Sequence, residues 1–487
     1  MNNIKTTPMI VGFFMAVLSL MSCKKKDGVA AELSVSPGAI TFPGEGGASD
    51  ITVSSNAAWS VNNPLSSWLQ IDKTKGTGGS VTIQVKTLGE NGTGAGRSGY
   101  LDISSSNGQS RRVKVTQAPT LYPSYNTSPK APDATGMSST AVQLAAKMHM
   151  GINFGNTMES PVEGEWTSKV TESYVKFVKQ IGFNAVRIPC NWHWSHLSDP
   201  AKAKIDPAWL NRVKEVVGWC VANDMYVMLN AHGDNGWLEN NVNAAKKDSV
   251  NAMQKALWEQ IATTMRDFDE HLIFAGANEP AAKTAEQMSI LNTYHQTFIN
   301  AVRSTGGRNS SRVLVVQGPS TDSYLTYDLM NTLPVDPVPN RLMVEVHCYS
   351  PAQFNILTDG DVSWGNMVYY WGAGNHSTIE PDRNATYGEE AALTDELGKM
   401  KKFVDKGIPV VLGEYASWRR TAGISKFVPK DLVMHNKSVE DWATFATKTA
   451  RANGLLPFWW ETGFTLDRAK NVVKDQALLD AIIAGYK

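Results

Sequence analysis

Two glutamates stand out by what surrounds them. Glu279 lies in Asn278-Glu279-Pro280, soon after the apolar run Leu272–Ala275, and Glu414 lies in Gly413-Glu414-Tyr415, directly after Pro409–Leu412. A carboxylate at the end of an apolar strand costs free energy to bury unless it is paired. Two carboxyl groups on opposite sides of one pocket can break a glycosidic bond: one protonates the leaving oxygen, the other attacks the anomeric carbon or activates water. Burial and mutual repulsion push their pKa values apart and so divide the roles. Arg187, inside the apolar run Ala185–Pro189, is a candidate partner that would keep Glu414 ionised.

Such distant residues need a scaffold that gathers strand ends. Eight strands are expected, at Met150–Asn153, Ala185–Pro189, Tyr226–Asn230, Leu272–Ala275, Val313–Gln317, Leu342–Val346, Pro409–Leu412 and Leu456–Trp459. Amphipathic segments such as Trp166–Ile181 and Pro207–Ala222 alternate with them, with apolar residues at helical spacing. This repetition predicts an α/β fold, a (β/α)8 TIM barrel over 140–487, whose reactive groups collect at the C-terminal strand ends. Those ends carry Arg187, His232, Glu279, His347, Tyr349, Glu414 and Trp460. The long connection from Ser350 to about Ala391 is expected over the active face. Trp192, Trp194, Trp237, Trp364 and Trp418 fall just past strand ends or in loops, where an aromatic face could carry a sugar ring or simply pack.

The barrel resembles glycoside hydrolase family 5. The resemblance rests on Gly151-Ile152-Asn153-Phe154-Gly155-Asn156-Thr157, Phe183–Pro189, Asn278-Glu279-Pro280, His347-Cys348-Tyr349, Gly413-Glu414-Tyr415 and Trp459-Trp460-Glu461-Thr462-Gly463, in the family's order. It implies a retaining enzyme with Glu279 as acid/base and Glu414 as nucleophile. It also implies that Asn278 binds the sugar 2-hydroxyl, Arg187 and Tyr349 orient Glu414, His232 and His347 line the pocket, and Trp460 stacks under the sugar. The segments around Asn156 and Trp237 are nearest to subfamily 4, which implies an endo-β-1,4-glucanase for xyloglucan, mixed-linkage glucan or cellulose. A single His after strand three and Trp-Trp-Glu-Thr-Gly after strand eight depart from the common pattern and weaken the substrate assignment. A β-mannanase or another β-glycanase, and a non-catalytic glycan-binding lipoprotein, are the alternatives. No cofactor is implied, and no zinc-type Cys/His spacing occurs, so no metal is expected.

The rest of the chain reads as an export and spacing apparatus. Lys5, the apolar run Pro8–Met21 and Leu20-Met21-Ser22-Cys23 resemble a bacterial lipoprotein signal, giving a signal peptide over 1–22, lipidation at Cys23 and a tether over 23–31. That places the protein at the bacterial outer membrane, on either face. Alternating runs such as Val81–Val85 between Gly-rich breaks predict a small all-β immunoglobulin-like sandwich over 32–118. Leu33–Pro37, Trp59-Ser60-Val61, Trp68-Leu69 and Val113–Gln117 give it a resemblance to a BACON domain. Its tryptophans are expected in the core and the module as a spacer. Residues 119–139 read as an extended, mobile linker. Beyond Cys23, the cysteines Cys190, Cys220 and Cys348 are odd in number and expected as buried free thiols. Lys+Arg equals Asp+Glu at 46 each, which gives no basic footprint for nucleic acid and suits a neutral ligand. A monomer is the default expectation.

Overall fold

The computed structural model describes residues 30–487 apart from Gly94 and Asp359, so the expected signal peptide and Cys23 lie outside the described residues. The chain forms two compact units that divide between Thr120 and Leu121. The first is a β-sandwich. One sheet holds Leu33–Ser36, Ala48–Ser55, Gly79–Thr87 and Leu69–Ile71, and the other is built on Ser110–Gln117, Arg97–Ser105 and Trp59–Asn62. Strict alternation turns Ile51, Val53, Ile83, Val85, Leu101, Ile103, Val113 and Val115 inward as one core, and Trp59 joins them.

In the second unit eight parallel strands close into a barrel in sequence order. They are β1 (Gly151–Asn153), β2 (Ala185–Cys190), β3 (Tyr226–Ala231), β4 (Leu272–Ala275), β5 (Leu314–Gln317), β6 (Leu342–Cys348), β7 (Val410–Tyr415) and β8 (Leu455–Trp459). Helices follow the strands, and many begin at a side-chain cap: Thr171, Asp206, Thr284, Asp322, Asp431 and Asp475 each accept a backbone N–H of the first turn. The helix expected from Trp166 begins only at Glu172, because Thr171 is its cap, and Trp166 stays in an exposed loop.

Inside the barrel the lining changes from apolar to polar along the axis. Ala185, Met228, Ile273, Ala275, Val315, Met343, Val411 and Phe458 form one cluster, and Leu144 and Met148 from the segment around helix Ala141–Lys147 join it. Two residues further along the same inward rows stand Arg187, Asn230, Gln317 and Glu345, all without solvent access. Strand β7 would break this pattern without a β-bulge. Val346 pairs with Leu412 but His347 pairs with Glu414, so Gly413 is the extra residue. Val411 faces inward; simple alternation would turn Gly413 inward and Glu414 outward. The bulge re-aims Glu414 into the barrel. Gly413 is required there, since a Cβ would stand 2.0 Å from the Glu345 carboxylate.

Two expectations need correction. Residues 121–139 are not a free linker: Glu259 accepts hydrogen bonds from Ser124 Oγ, Tyr125 N and Asn126 N, and Lys130–Pro132 pairs with Gly306–Gly307. A buried carboxylate facing three donors outweighs the polar composition that suggested mobility. Trp192 is no sugar platform, because its ring is fully buried and its Nε1–H donates to the Asn230 carbonyl. The connection after β6 carries Leu357, Met367, Tyr369 and Tyr370 in a core of their own. Cys190, Cys220 and Cys348 are buried free thiols, as expected. Among the described residues no helix is long and apolar enough to cross a membrane.

Glu259→Ala removes the common acceptor of 124–126. We expect a loss of about 2–4 kcal/mol in denaturant unfolding and new tryptic cleavage after Lys130 with the barrel still folded; unchanged protease resistance would contradict this account of the strap.

Candidate active site

The site is organised by Arg187, which projects from β2 with no solvent-accessible surface. Its Nη1 donates to Glu414 Oε1 at 2.8 Å and to Asn153 Oδ1 at 3.0 Å, its Nη2 donates to Asn278 Oδ1 at 2.7 Å, and its Nε lies 2.8 Å from Glu345 Oε1. With its amide turned to satisfy both neighbours, Asn230 accepts from Arg187 Nη2 at 3.0 Å and donates to the Ile188 carbonyl. Burial alone would lower the Arg187 pKa, but Glu345 and Glu414 more than offset it and the pKa is raised. Burial would likewise raise Glu345, yet Arg187 and His347 hold its carboxyl below the usual range.

Glu414 receives a second donor from just past the end of β6: the Tyr349 hydroxyl lies 2.9 Å from Oε2. Burial first, and then the Glu414 charge, push the Tyr349 phenol well up, so it remains a donor. His347, on β6 itself, bridges two carboxylates. Its Nδ1 lies 2.8 Å from Glu279 Oε1 and its Nε2 lies 3.3 Å from Glu345 Oε1. Both ring nitrogens face acceptors, a geometry that fits imidazolium. Burial acts against that charge, but Glu414, Glu279 and Glu345 raise the His347 pKa to about 10.

Glu279 is the exposed member, with 46 % of its side chain accessible while Glu414 shows 6 %. Burial raises its pKa, but the hydrogen bond and charge of His347, with Arg187 behind, bring it below the usual value. One ligand atom each of Glu279, His347 and Glu414 lies within 4.8 Å of the other two. That spacing would also suit a cation, but an imidazolium has no lone pair to give one.

The remaining expected residues divide. Asn278 joins the cluster through Arg187 and also hydrogen-bonds Glu239. The Trp460 ring stacks on His232, with centroids 5.4 Å apart and planes 12° from parallel. The His232 Nδ1 lies 3.7 Å from Glu414, and burial, Arg187 and His347 drive its pKa far down, so it is neutral. Asn156, with a positive φ of 57°, donates its backbone N–H to buried Glu159, and the adjacent Gly155 lies against the Trp460 ring. Trp237 sits further out. Its Nε1–H donates to Asp234, and it shares a small cavity with Glu239 and Asn278.

Sequence reasoning missed four organising residues. Glu345 was visible as the one charge inside the apolar run Leu342–Val346. Gln317 donates to Glu345 Oε2 and accepts from Ala277 N, tying β6 to the turn that carries Glu279. Glu239 accepts the backbone N–H groups of Gly233 and Glu279. Asp234 accepts from Trp192, His193 and Trp194 N, which staples the loop after β2 to the loop after β3.

A closed parallel barrel with two carboxyl groups meeting at its C-terminal face is the architecture of a retaining glycoside hydrolase. The comparisons agree: a cellulase model, glycosyl hydrolase family 5, matches residues 147–465, and the chain belongs to that family. A viral BACON domain model matches residues 32–120. The xyloglucan-specific endo-β-1,4-glucanase BoGH5A of Bacteroides ovatus is 32 % identical, over 97 % of this chain and 96 % of its own length. A Bacteroides ovatus GH5 xyloglucanase solved with a XXXG heptasaccharide superposes with a TM-score of 0.69 at 30 % identity, covering 93 % of this chain and 100 % of that one. A GH5-4 broad-specificity endoglucanase from Ruminococcus champanellensis with bound cellotriose gives a TM-score of 0.59 at 31 % identity, covering 71 % and 98 %.

Glu345→Ala leaves Arg187 with one carboxylate fewer. We expect a loss of about 3–5 kcal/mol in urea unfolding, and the His347 pKa, about 10 in the parent, should fall because an anion that favours its charge is gone. Nitrogen-15 NMR of the imidazole reads the second effect, and an unmoved His347 titration would contradict the bridge.

Proposed function

We propose that the barrel hydrolyses internal β-1,4-glucosidic bonds of a glucan, xyloglucan foremost, with retention of configuration. The carrying observation is the approach of the Glu279 and Glu414 carboxyl oxygens to within 4.8 Å. Retaining pairs stand about 5–5.5 Å apart, whereas inverting pairs leave room for a water at about 6.5–9.5 Å. Glu414 is the nucleophile, its two oxygens held by Arg187 and Tyr349 so that little reorganisation precedes attack. Glu279 is the acid/base. Its Oε1 accepts from His347, which leaves Oε2 to carry a proton to the leaving oxygen.

The charges of the cluster make this exchange possible. Arg187 and His347 are two cations against the carboxylates of Glu345, Glu414 and Glu279, so the ionised cluster is one proton short of neutral. A sugar covering the half-exposed Glu279 removes water from its carboxylate and favours the acid form. When Glu414 becomes esterified its charge disappears, the preference for a proton on Glu279 weakens, and Glu279 then serves as base for the attacking water. Asn278, whose Oδ1 is taken by Arg187, has amide N–H groups for the sugar 2-hydroxyl as well as for Glu239. Trp460 supplies the apolar floor under the ring. The family's xyloglucan-specific and broad-specificity relatives support the substrate class.

We propose further that the protein is lipid-anchored through Cys23 at the bacterial outer membrane. Leu20-Met21-Ser22-Cys23 after the apolar run supports this, and labelled palmitate should be incorporated by the parent and not by Cys23→Ala. The sandwich serves as a spacer along the chain, and Trp59 is part of its core.

Reducing-sugar release from xyloglucan, mixed-linkage β-glucan, carboxymethylcellulose, glucomannan and galactomannan tests the activity. We expect release from the glucans, at least a thousandfold less with Glu414→Ala, and binding without comparable turnover with Glu279→Ala. Release from galactomannan alone, or undiminished release by either variant, would overturn the reading.

A further inference from the structure

The loop after β7 contains a tryptophan that is fixed from several sides. Ser417 Oγ donates to the Val439 carbonyl. Arg419 pairs with Asp475 and Glu440. The Arg420 backbone N–H donates to His435 Nε2 at 2.8 Å, and His435 Nδ1 lies 2.8 Å from the Tyr369 carbonyl. The chain is thus pinned on both sides of Trp418. The Trp418 ring, half-buried, stacks against Phe464 from the loop after β8, with centroids 6.1 Å apart and planes 27° from parallel. Phe464 is 48 % exposed.

The support beneath this pair is unusual. The Arg420 guanidinium lies 4.4 Å from the centre of the Trp418 ring and has no accessible surface. Its Nη2 donates to the Phe354 carbonyl, while Nε and Nη1 have no hydrogen-bond partner among the described residues. Among the described residues no carboxylate pairs with it, and burial lowers its pKa to about 10. A buried cation with unmatched donors costs stability relative to an apolar side chain of the same shape. What it obtains in return is contact with an indole face, an attraction that strengthens when desolvated.

We infer that Trp418 and Phe464 form an outer platform for a neutral pyranose at the rim of the cleft, and that Arg420 is the positioning residue that fixes the Trp418 plane. The platform stands where the chain leaves Glu414 and Trp460, so a sugar on it belongs to the same glucan chain, beyond the residue held over Trp460. Apolar CH faces of a sugar bind aromatic rings whose orientation is already fixed at little further cost. The inference rests on the glucanase reading.

Binding of cello-oligosaccharides of two to six residues to the inactive Glu414→Ala protein, by calorimetry, tests it. Adding Trp418→Ala should weaken the longest ligands about tenfold, or about 1.4 kcal/mol, and leave the shortest unchanged. Arg420→Met should reproduce that length-dependent loss, Arg420→Lys should restore part of it, and Arg420→Met with Trp418→Ala should be no worse than Trp418→Ala alone. In the active protein these changes should appear in KM for the polymer and not in kcat. Equal binding at every length with Trp418→Ala would overturn the platform, and additive losses in the double variant would overturn the role of Arg420. If Arg420→Met does not fold, Trp418→Ala and Arg420→Lys decide. Failure of the parent Glu414→Ala protein to bind any of these ligands would refute the glucan reading first and the platform with it.

Discussion

Arg187 is a full positive charge with no access to water, and it is tolerable only inside a complete set of partners. That requirement ties five strands together. Asn153 comes from β1, Asn230 from β3, Glu345 from β6 and Glu414 from β7, while Asn278 follows β4. Each partner also fixes something else. Glu345 holds Gln317 and His347, and His347 holds Glu279. The positions of both catalytic carboxyl groups therefore follow from how one buried guanidinium is neutralised.

The local backbone serves the same end. The bulge at Gly413 turns Glu414 toward Arg187, and the missing Cβ leaves room for Glu345. Apolar layers below and polar layers above divide the barrel interior, so the energetic cost of the charged layer is met by the packed cluster around Ile273, Val315 and Phe458. The BACON-type sandwich has a separate core of its own.

Most of the scaffold was legible in the sequence because buried parallel strands read as short apolar runs, and their ends carry the polar residues that a barrel gathers. Glu279, Glu414, Arg187, His347 and Tyr349 were found that way and meet in the structure. What escaped were effects that a one-dimensional pattern does not carry. A β-bulge changes which residue faces inward without changing composition. Glu345 sits mid-strand, where the apolar run masks it, and Gln317 is a neutral residue at the end of β5 whose partners are set only by the barrel's closure. The polar stretch 124–126 reads as mobile, yet it is fixed by Glu259, more than a hundred residues away in the sequence. Trp192 and Trp418 look alike as loop tryptophans, and only tertiary packing makes one core and the other rim.

The central claim is that the two glutamates act on opposite sides of one anomeric carbon through a covalent intermediate on Glu414. Proton NMR of the first products, recorded before mutarotation, tests it most directly. Retention gives β-configured reducing ends at the earliest time points, decaying slowly to the equilibrium mixture, and this is the outcome that the close approach of the two carboxyl groups predicts. Early accumulation of the α-anomer would mean direct displacement by water and would contradict the account.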